Sequence, residues 1–200
     1  DFSTYTLFND EPWTYTNGPE IGNWDGSYQG LITLRQALSV SRNIPALKAF
    51  QQVDKKNIVT FVNNLGLDVA YSTKSENYKK DEKTGADNVI NEAYSIGGMA
   101  YGVTPLDMAE AYASFANGGY HIETHAVTKI EYRSTGETVD FSEEKKKVMS
   151  DSTAYLMNNV LKYAVDYGFN GGAKVAGSTV AAKTGTSNLS EATTKALGIP

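Results

Sequence analysis

Two hundred residues are enough to bury a sizeable core and form one domain or most of one. A net charge of −5 offers no global basic field for nucleic acid, and the absence of cysteine excludes disulfides, thiolate zinc sites and a cysteine nucleophile. No apolar run reaches the roughly eighteen residues of a membrane span, and no signal peptide is recognisable.

Residues 1 to 30 are rich in Gly, Asn, Tyr, Trp and Pro and show neither helical nor alternating periodicity. They read as a long ordered loop anchored by Tyr5, Trp13, Tyr15 and Trp24. Thr33 suits an N-cap, and Leu34, Ala37 and Leu38 form the apolar stripe of a short helix. The chain breaks at Ser41-Arg42-Asn43, and a second helix restarts with Pro45 in its first turn. Asp54 caps a third, with Ile58, Val59, Phe61, Val62 and Leu65 inward and Gly66 as its stop. Residues 68 to 88 are polar and read as a loop or insertion.

Thr104 and Asp107 form a capping box around Pro105, and Leu106, Ala109, Tyr112, Ala113 and Ala116 recur at helical spacing up to Gly118-Gly119. Residues 120 to 132 alternate, which predicts one strand with Ile122, Thr124, Ala126, Thr128, Ile130 and Tyr132 on one face. A turn at Ser134-Thr135-Gly136 leads to a short return over Glu137 to Val139, and Ser142 to Lys147 is a solvated charge run. Ser150 or Asp151 caps a last long helix through Ala154, Leu156, Met157, Val160, Leu161, Ala164 and Val165, stopped by Gly168. A glycine-rich loop follows, and residues 178 to 187 read as a strand. Helices followed by a hairpin, a helix and a strand suggest helices packed around an antiparallel sheet rather than a βαβ repeat.

Four motifs mislead. Gly172 to Thr179 nearly matches a phosphate loop, but it lacks the lysine before the hydroxyl and precedes a strand instead of following one. His121 and His125 would share a metal on a helix, but on a strand they stand about 13 Å apart. They read as part of a solvent-facing strand. Ser142-Glu143-Glu144-Lys145 formally fits S-x-x-K, but its lysine lies among exposed charges that keep it protonated. Asn188-Leu189-Ser190 is a glycosylation sequon whose meaning depends on the host.

Two motifs carry chemistry. Ser41 and Asn43 flank one residue at a helix break, where a hydroxyl can relay a proton and a carboxamide can hold a carbonyl and a neighbouring ammonium. Alone, Ser-x-Asn also fits ordinary helix-break chemistry. Lys183-Thr184-Gly185-Thr186 would place an ammonium, a hydroxyl and a backbone N–H on a sheet edge, and Gly185 would let a ligand lie close. Alone, it also fits a polar edge strand.

S-x-N followed by K-T-G forms two parts of the signature of serine–lysine penicillin-recognising enzymes. The stretches TLRQALSVSRNIPALKAF, GGMAYGVTPLDMAEAYASFANGG and STVAAKTGTSN resemble the transpeptidase domain of class A, bifunctional penicillin-binding proteins, from about Trp13 to the end. The resemblance implies an α+β fold of the penicillin-binding/β-lactamase type, an antiparallel sheet packed with helices plus a helical subdomain. It also implies a D,D-transpeptidase that cross-links peptidoglycan stem peptides through an acyl-enzyme, is acylated by β-lactams and needs no metal or cofactor. Ser41 would relay a proton, Asn43 would hold the substrate carbonyl and the motif lysine, and Lys183 would direct positive charge toward Ser41 and the substrate carboxylate. Thr184, Gly185, Thr186 and Ser187 would line the ligand, with the Thr186 N–H as half of an oxyanion hole.

The family's S-x-x-K, with nucleophile and base, belongs upstream of S-x-N, so the resemblance places the nucleophile in a companion segment or chain. Residues 1 to 200 are then expected to be part of one transpeptidase domain, without the glycosyltransferase domain or membrane anchor. The intact protein would stand on the extracytoplasmic face of the bacterial membrane. A D,D-carboxypeptidase and a non-catalytic penicillin-recognising module remain alternatives. A β-lactamase would call for a Glu-x-x-Leu-Asn stretch between Asn43 and Lys183, and there is none.

Overall fold

Local cap chemistry sets the helix starts. The computed structural model describes residues 2–67, 75–83, 85, 87–99, 102–141, 144–186 and 191–199. Thr33 accepts from Gln36 N–H at 3.4 Å and the Gln36 side chain accepts from Thr33 N–H at 3.0 Å, a reciprocal box that opens α1 (Leu34–Ser39). After the break, α2 (Asn43–Gln51) begins without a side-chain cap. Asp54 caps α3 (Lys55–Asn64) through Lys56 N–H at 2.7 Å. Thr104 and Asp107 close the box expected at α4 (Pro105–Ala116), and Ser150 caps α5 (Asp151–Tyr167) through Thr153 N–H. The short α6 (Glu191–Leu197) was not foreseen; Glu191 lies in its first turn and Lys195 in its last, each the favourable sign for the helix dipole.

The first thirty residues are not one loop. β1 (Leu7–Asp10) pairs antiparallel with β4 (Gly30–Thr33), and the connection between them carries a small hairpin of β2 (Trp13–Thr14) and β3 (Glu20–Ile21). β1 does alternate, but its inward residues are Phe8 and Asp10, and the buried carboxylate hides the period from a hydropathy reading.

The strand expected over 120 to 132 is two strands. β5 (Tyr120–Ile122) pairs with β8 (Lys145–Lys147), so the charge run also carries ladder hydrogen bonds, while β6 (Lys129–Glu131) pairs with β7 (Thr138–Asp140) across the expected turn. The β6–β7 pair is exposed on both faces, so no burial constrains its alternation. Residues 179–186 run without a ladder partner among the described residues; this corrects the strand expected over 178 to 187 as far as residue 186, because a strand is completed by its neighbour, and Ser187 lies outside the described residues. Among the described residues the sheet content is thus four separate antiparallel pairs.

Burial also corrects two helix faces. In α4 the inward residues are Ala111 and Ser114, while Leu106 and Tyr112 are exposed. No residue within α3 is fully buried, and Phe61 is exposed. One cluster joins Leu65, Ala111, Met149 and Ala154 around Phe115; another joins Ile21, Ile44 and Leu47 around Tyr15. His121 lies half-buried beside Gly66 rather than facing solvent.

α1 packs along α5. At the end of α5, a Cβ on Gly168 would strike the Ser39 carbonyl oxygen, so the two backbones meet where a side chain does not fit. Gly168→Ala should lower stability by about 1–3 kcal/mol, measured by urea unfolding; an unchanged midpoint would show that the contact yields.

Candidate active site

The residue between Ser41 and Asn43 is the most firmly held of the three. The Arg42 and Asp10 side chains are 1% and 0% exposed, and Arg42 Nε donates to Asp10 Oδ2 at 2.8 Å. Arg42 Nη1 donates to both Asp25 oxygens, at 3.0 and 2.9 Å, and Nη2 donates to Ser27 O at 2.5 Å. Asp10 also accepts from Asn23 Nδ2 at 2.7 Å and from Gln29 N–H at 3.0 Å. Burial opposes the charge on Arg42, but the bonds from Asp10 and Asp25 outweigh it and hold its pKa above the ordinary value. Asp25 is lowered to about 2, first by the Ser27 hydroxyl and N–H, with Arg42 adding to the effect.

This network shapes the residues on either side. Ser41 takes a left-handed φ of +55°, which costs an L-residue roughly 1–2 kcal/mol. Asn43 donates its N–H to Asn23 Oδ1 at 2.9 Å and its Nδ2 to Gly22 O at 2.9 Å, and its Oδ1 has no partner among the described residues.

Lys183, 142 positions later in sequence, reaches this turn. Its Nζ donates to Ser41 Oγ at 2.9 Å and to Thr184 O at 2.9 Å. Burial of the ammonium lowers the Lys183 pKa. The structure therefore brings Ser41 and Lys183 together. Asn43 sits at the same turn, and no hydrogen bond joins it to Lys183. Thr184, Gly185 and Thr186 are exposed beside Lys183, and Ser187 lies outside the described residues, as do Ser142 and the sequon at Asn188. A separate cleft of about 640 Å³ lies at the far end of α2, lined by Tyr15, Phe50, Gln51 and Glu92; it includes neither Ser41 nor Lys183.

A match to the family described as penicillin binding protein transpeptidase domain covers residues 2–197. The chain belongs to this family. It is 44% identical over 192 residues to penicillin-binding protein 1A/1B of Bacillus subtilis, covering 95% of this chain and 19% of that protein. It is 37% identical to penicillin-binding protein 1A of Streptococcus pneumoniae, covering 94% of this chain and 25% of that protein. The chain thus spans about a fifth to a quarter of these relatives. Among solved structures, penicillin-binding protein A from M. tuberculosis, a ceftriaxone acyl-enzyme complex, superposes with a TM-score of 0.74 at 18% identity over 95% of this chain and 44% of that one. Penicillin-binding protein 1A from Haemophilus influenzae gives 0.63 at 23% identity over 84% and 28%. These likenesses establish the penicillin-binding transpeptidase fold, with its α+β composition.

The S-x-N and K-T-G patterns single out Ser41, Asn43 and Lys183, but not the groups that hold them. Arg42 was legible only as the middle of S-x-N. Asp10 and Asn23 carry no local signal, because they lie 32 and 20 positions from the residues they bind.

Two predictions follow from this geometry. Asp10→Ala leaves the Arg42 charge without its buried partner and should cost about 3–5 kcal/mol in denaturant unfolding; a loss below 1 kcal/mol would mean that water reaches the guanidinium. Ser41→Gly and Ser41→Ala both lose the hydroxyl, but only Ala keeps the strain, so the Gly variant should be more stable by about 1 kcal/mol. Equal melting curves would argue against a left-handed turn at this position.

Proposed function

We propose that this chain supplies two walls of the cleft of a serine D,D-transpeptidase that cross-links peptidoglycan stem peptides and is acylated by β-lactams. The observation that carries the reading is the Lys183 Nζ to Ser41 Oγ bond at 2.9 Å, which joins the S-x-N and K-T-G motifs. The nucleophilic serine, from a Ser-x-x-Lys segment outside this chain, attacks the penultimate D-alanine carbonyl. The C–N bond then breaks, and the terminal D-alanine leaves with a proton on its nitrogen. An amine of a second stem peptide displaces the serine, which regains its proton.

Each motif residue has a role in this reading. Lys183 donates to Ser41 Oγ, so the Ser41 hydroxyl proton is free to pass to the departing nitrogen. The unpartnered Asn43 Oδ1 is available to the motif lysine, and its Nδ2 would exchange Gly22 for a substrate carbonyl. Lys183 and the Thr184 and Thr186 hydroxyls draw the substrate carboxylate, the Thr186 N–H stabilises the oxyanion, and Gly185 and Ser187 line the ligand. The intact protein works at the extracytoplasmic face of the cell membrane, where its substrate lies, and is anchored there. No described helix is long and apolar enough to cross a membrane.

The test uses the parent protein that joins this chain to its Ser-x-x-Lys segment. It should take one equivalent of labelled penicillin, and Lys183→Ala should slow labelling by at least about a hundredfold, the scale of losing a positioned charged donor. If the ammonium is the active form, labelling falls as pH rises through the Lys183 pKa, which lies below the ordinary lysine value. Lys183→Arg should remove that alkaline limb, because guanidinium stays charged. Unchanged labelling in Lys183→Ala, or label on Ser41, would overturn the assignment. A product mixture of hydrolysed peptide alone, with amine acceptor present, would make the enzyme a carboxypeptidase instead.

A further inference from the structure

The turn after α5 touches both walls of the cleft. Phe169 donates its N–H to Ser39 O at 3.1 Å, two residues before Ser41. The next residue, Asn170, is 3% exposed and points its carboxamide the other way. Its Nδ2 donates to Ala182 O at 2.8 Å, and its Oδ1 accepts from Thr184 N–H at 3.1 Å. One amide therefore brackets Lys183, taking the carbonyl before it and the N–H after it. A residue of a parallel strand brackets its neighbour in the same way. Asn170 is itself fixed, donating its N–H to Ala164 O at 3.2 Å and accepting from Ala173 N–H at 2.9 Å.

We propose that Asn170 is a positioning residue that substitutes for a strand partner at Lys183 and sets the reach of its ammonium to Ser41. The main-chain groups of residues 182, 184 and 186 face one edge of an extended chain. Asn170 occupies that edge at Ala182 and Thr184, and Lys183 Nζ takes the Thr184 carbonyl. The Thr186 main chain has no partner among the described residues. The clamp therefore also sets where a ligand can begin to pair along the strand, at Thr186. Lys183 is fixed opposite Asn170 while the adjoining residue, Phe169, is bonded to the segment leading to Ser41. The spacing between the walls thus depends on two consecutive residues of one turn.

The catalytic consequence rests on the transpeptidase reading; the clamp itself does not, and the test separates them. In the parent protein, Asn170→Ala should speed amide hydrogen exchange at Thr184 by about tenfold or more, because the carboxamide is its only acceptor among the described residues. The penicillin acylation rate constant should fall about 10–100-fold with little change in the preceding dissociation constant, as expected for a misplaced group. Asn170→Asp keeps an acceptor for Thr184 and should keep its protection. Its carboxylate stands opposite Lys183 and favours the ammonium, so the alkaline limb of acylation should move to higher pH. Wild-type exchange at Thr184 in folded Asn170→Ala, or a wild-type rate and pH profile in folded Asn170→Asp, would overturn the proposal. Should Asn170→Ala fail to fold, the Asp profile decides. Should the wild-type protein take no penicillin, the exchange measurement decides for the clamp, and the functional reading alone fails.

Discussion

A guanidinium buried to 1% exposure between Ser41 and Asn43 is the constraint on which this structure turns. Desolvating such a charge costs several kcal/mol unless its donors are met. Here they are met by Asp10 on β1 and by Asp25 and Ser27 in the connection before β4. The chain before α1 must therefore return to the helix break and present two carboxylates there. Asn23 extends the same network, holding Asp10 with one end of its amide and the Asn43 N–H with the other. What looks like a break between two helices is thus a fixed turn, and its rigidity supports the left-handed backbone at Ser41.

Lys183 and its neighbours have a different support. Residues 179–186 have no ladder partner among the described residues, yet Lys183 holds a definite place. Side-chain amide bonds from Asn170 and a longer contact from Ala182 N–H to Leu161 O at 3.4 Å take the place of a ladder. Gly168 lets the end of α5 approach Ser39. Ser41 and Lys183, 142 residues apart in sequence, are therefore referenced to the same helix end, and burial depresses the pKa of the Lys183 ammonium.

The sequence was most informative where the interactions are local. The helix starts at Thr33, Asp54, Thr104 and Ser150 were legible because a cap is completed within three residues. Where structure and sequence pattern differ, the cause is packing. The face of α4 was mis-phased because its inward residues include Ser114 and small Ala111, while Leu106 and Tyr112 point out. The alternation over 120 to 132 ran across two strands with different partners. β1 went unseen because Asp10 is buried for its bond to Arg42, not for its hydropathy.

By itself the sequence determined the motif residues, Ser41, Asn43 and Lys183, along with the helix caps and the family that they point to. Those features are chemical identities at short spacing, and they survive without knowledge of the fold. Only the tertiary structure decided that Lys183 reaches Ser41, that Arg42 is buried on Asp10, and that Asn170 brackets Lys183. Each of those pairs closes a loop of twelve residues or more, and a hydrogen bond across such a loop is set by how helices and strands pack, which no local pattern encodes.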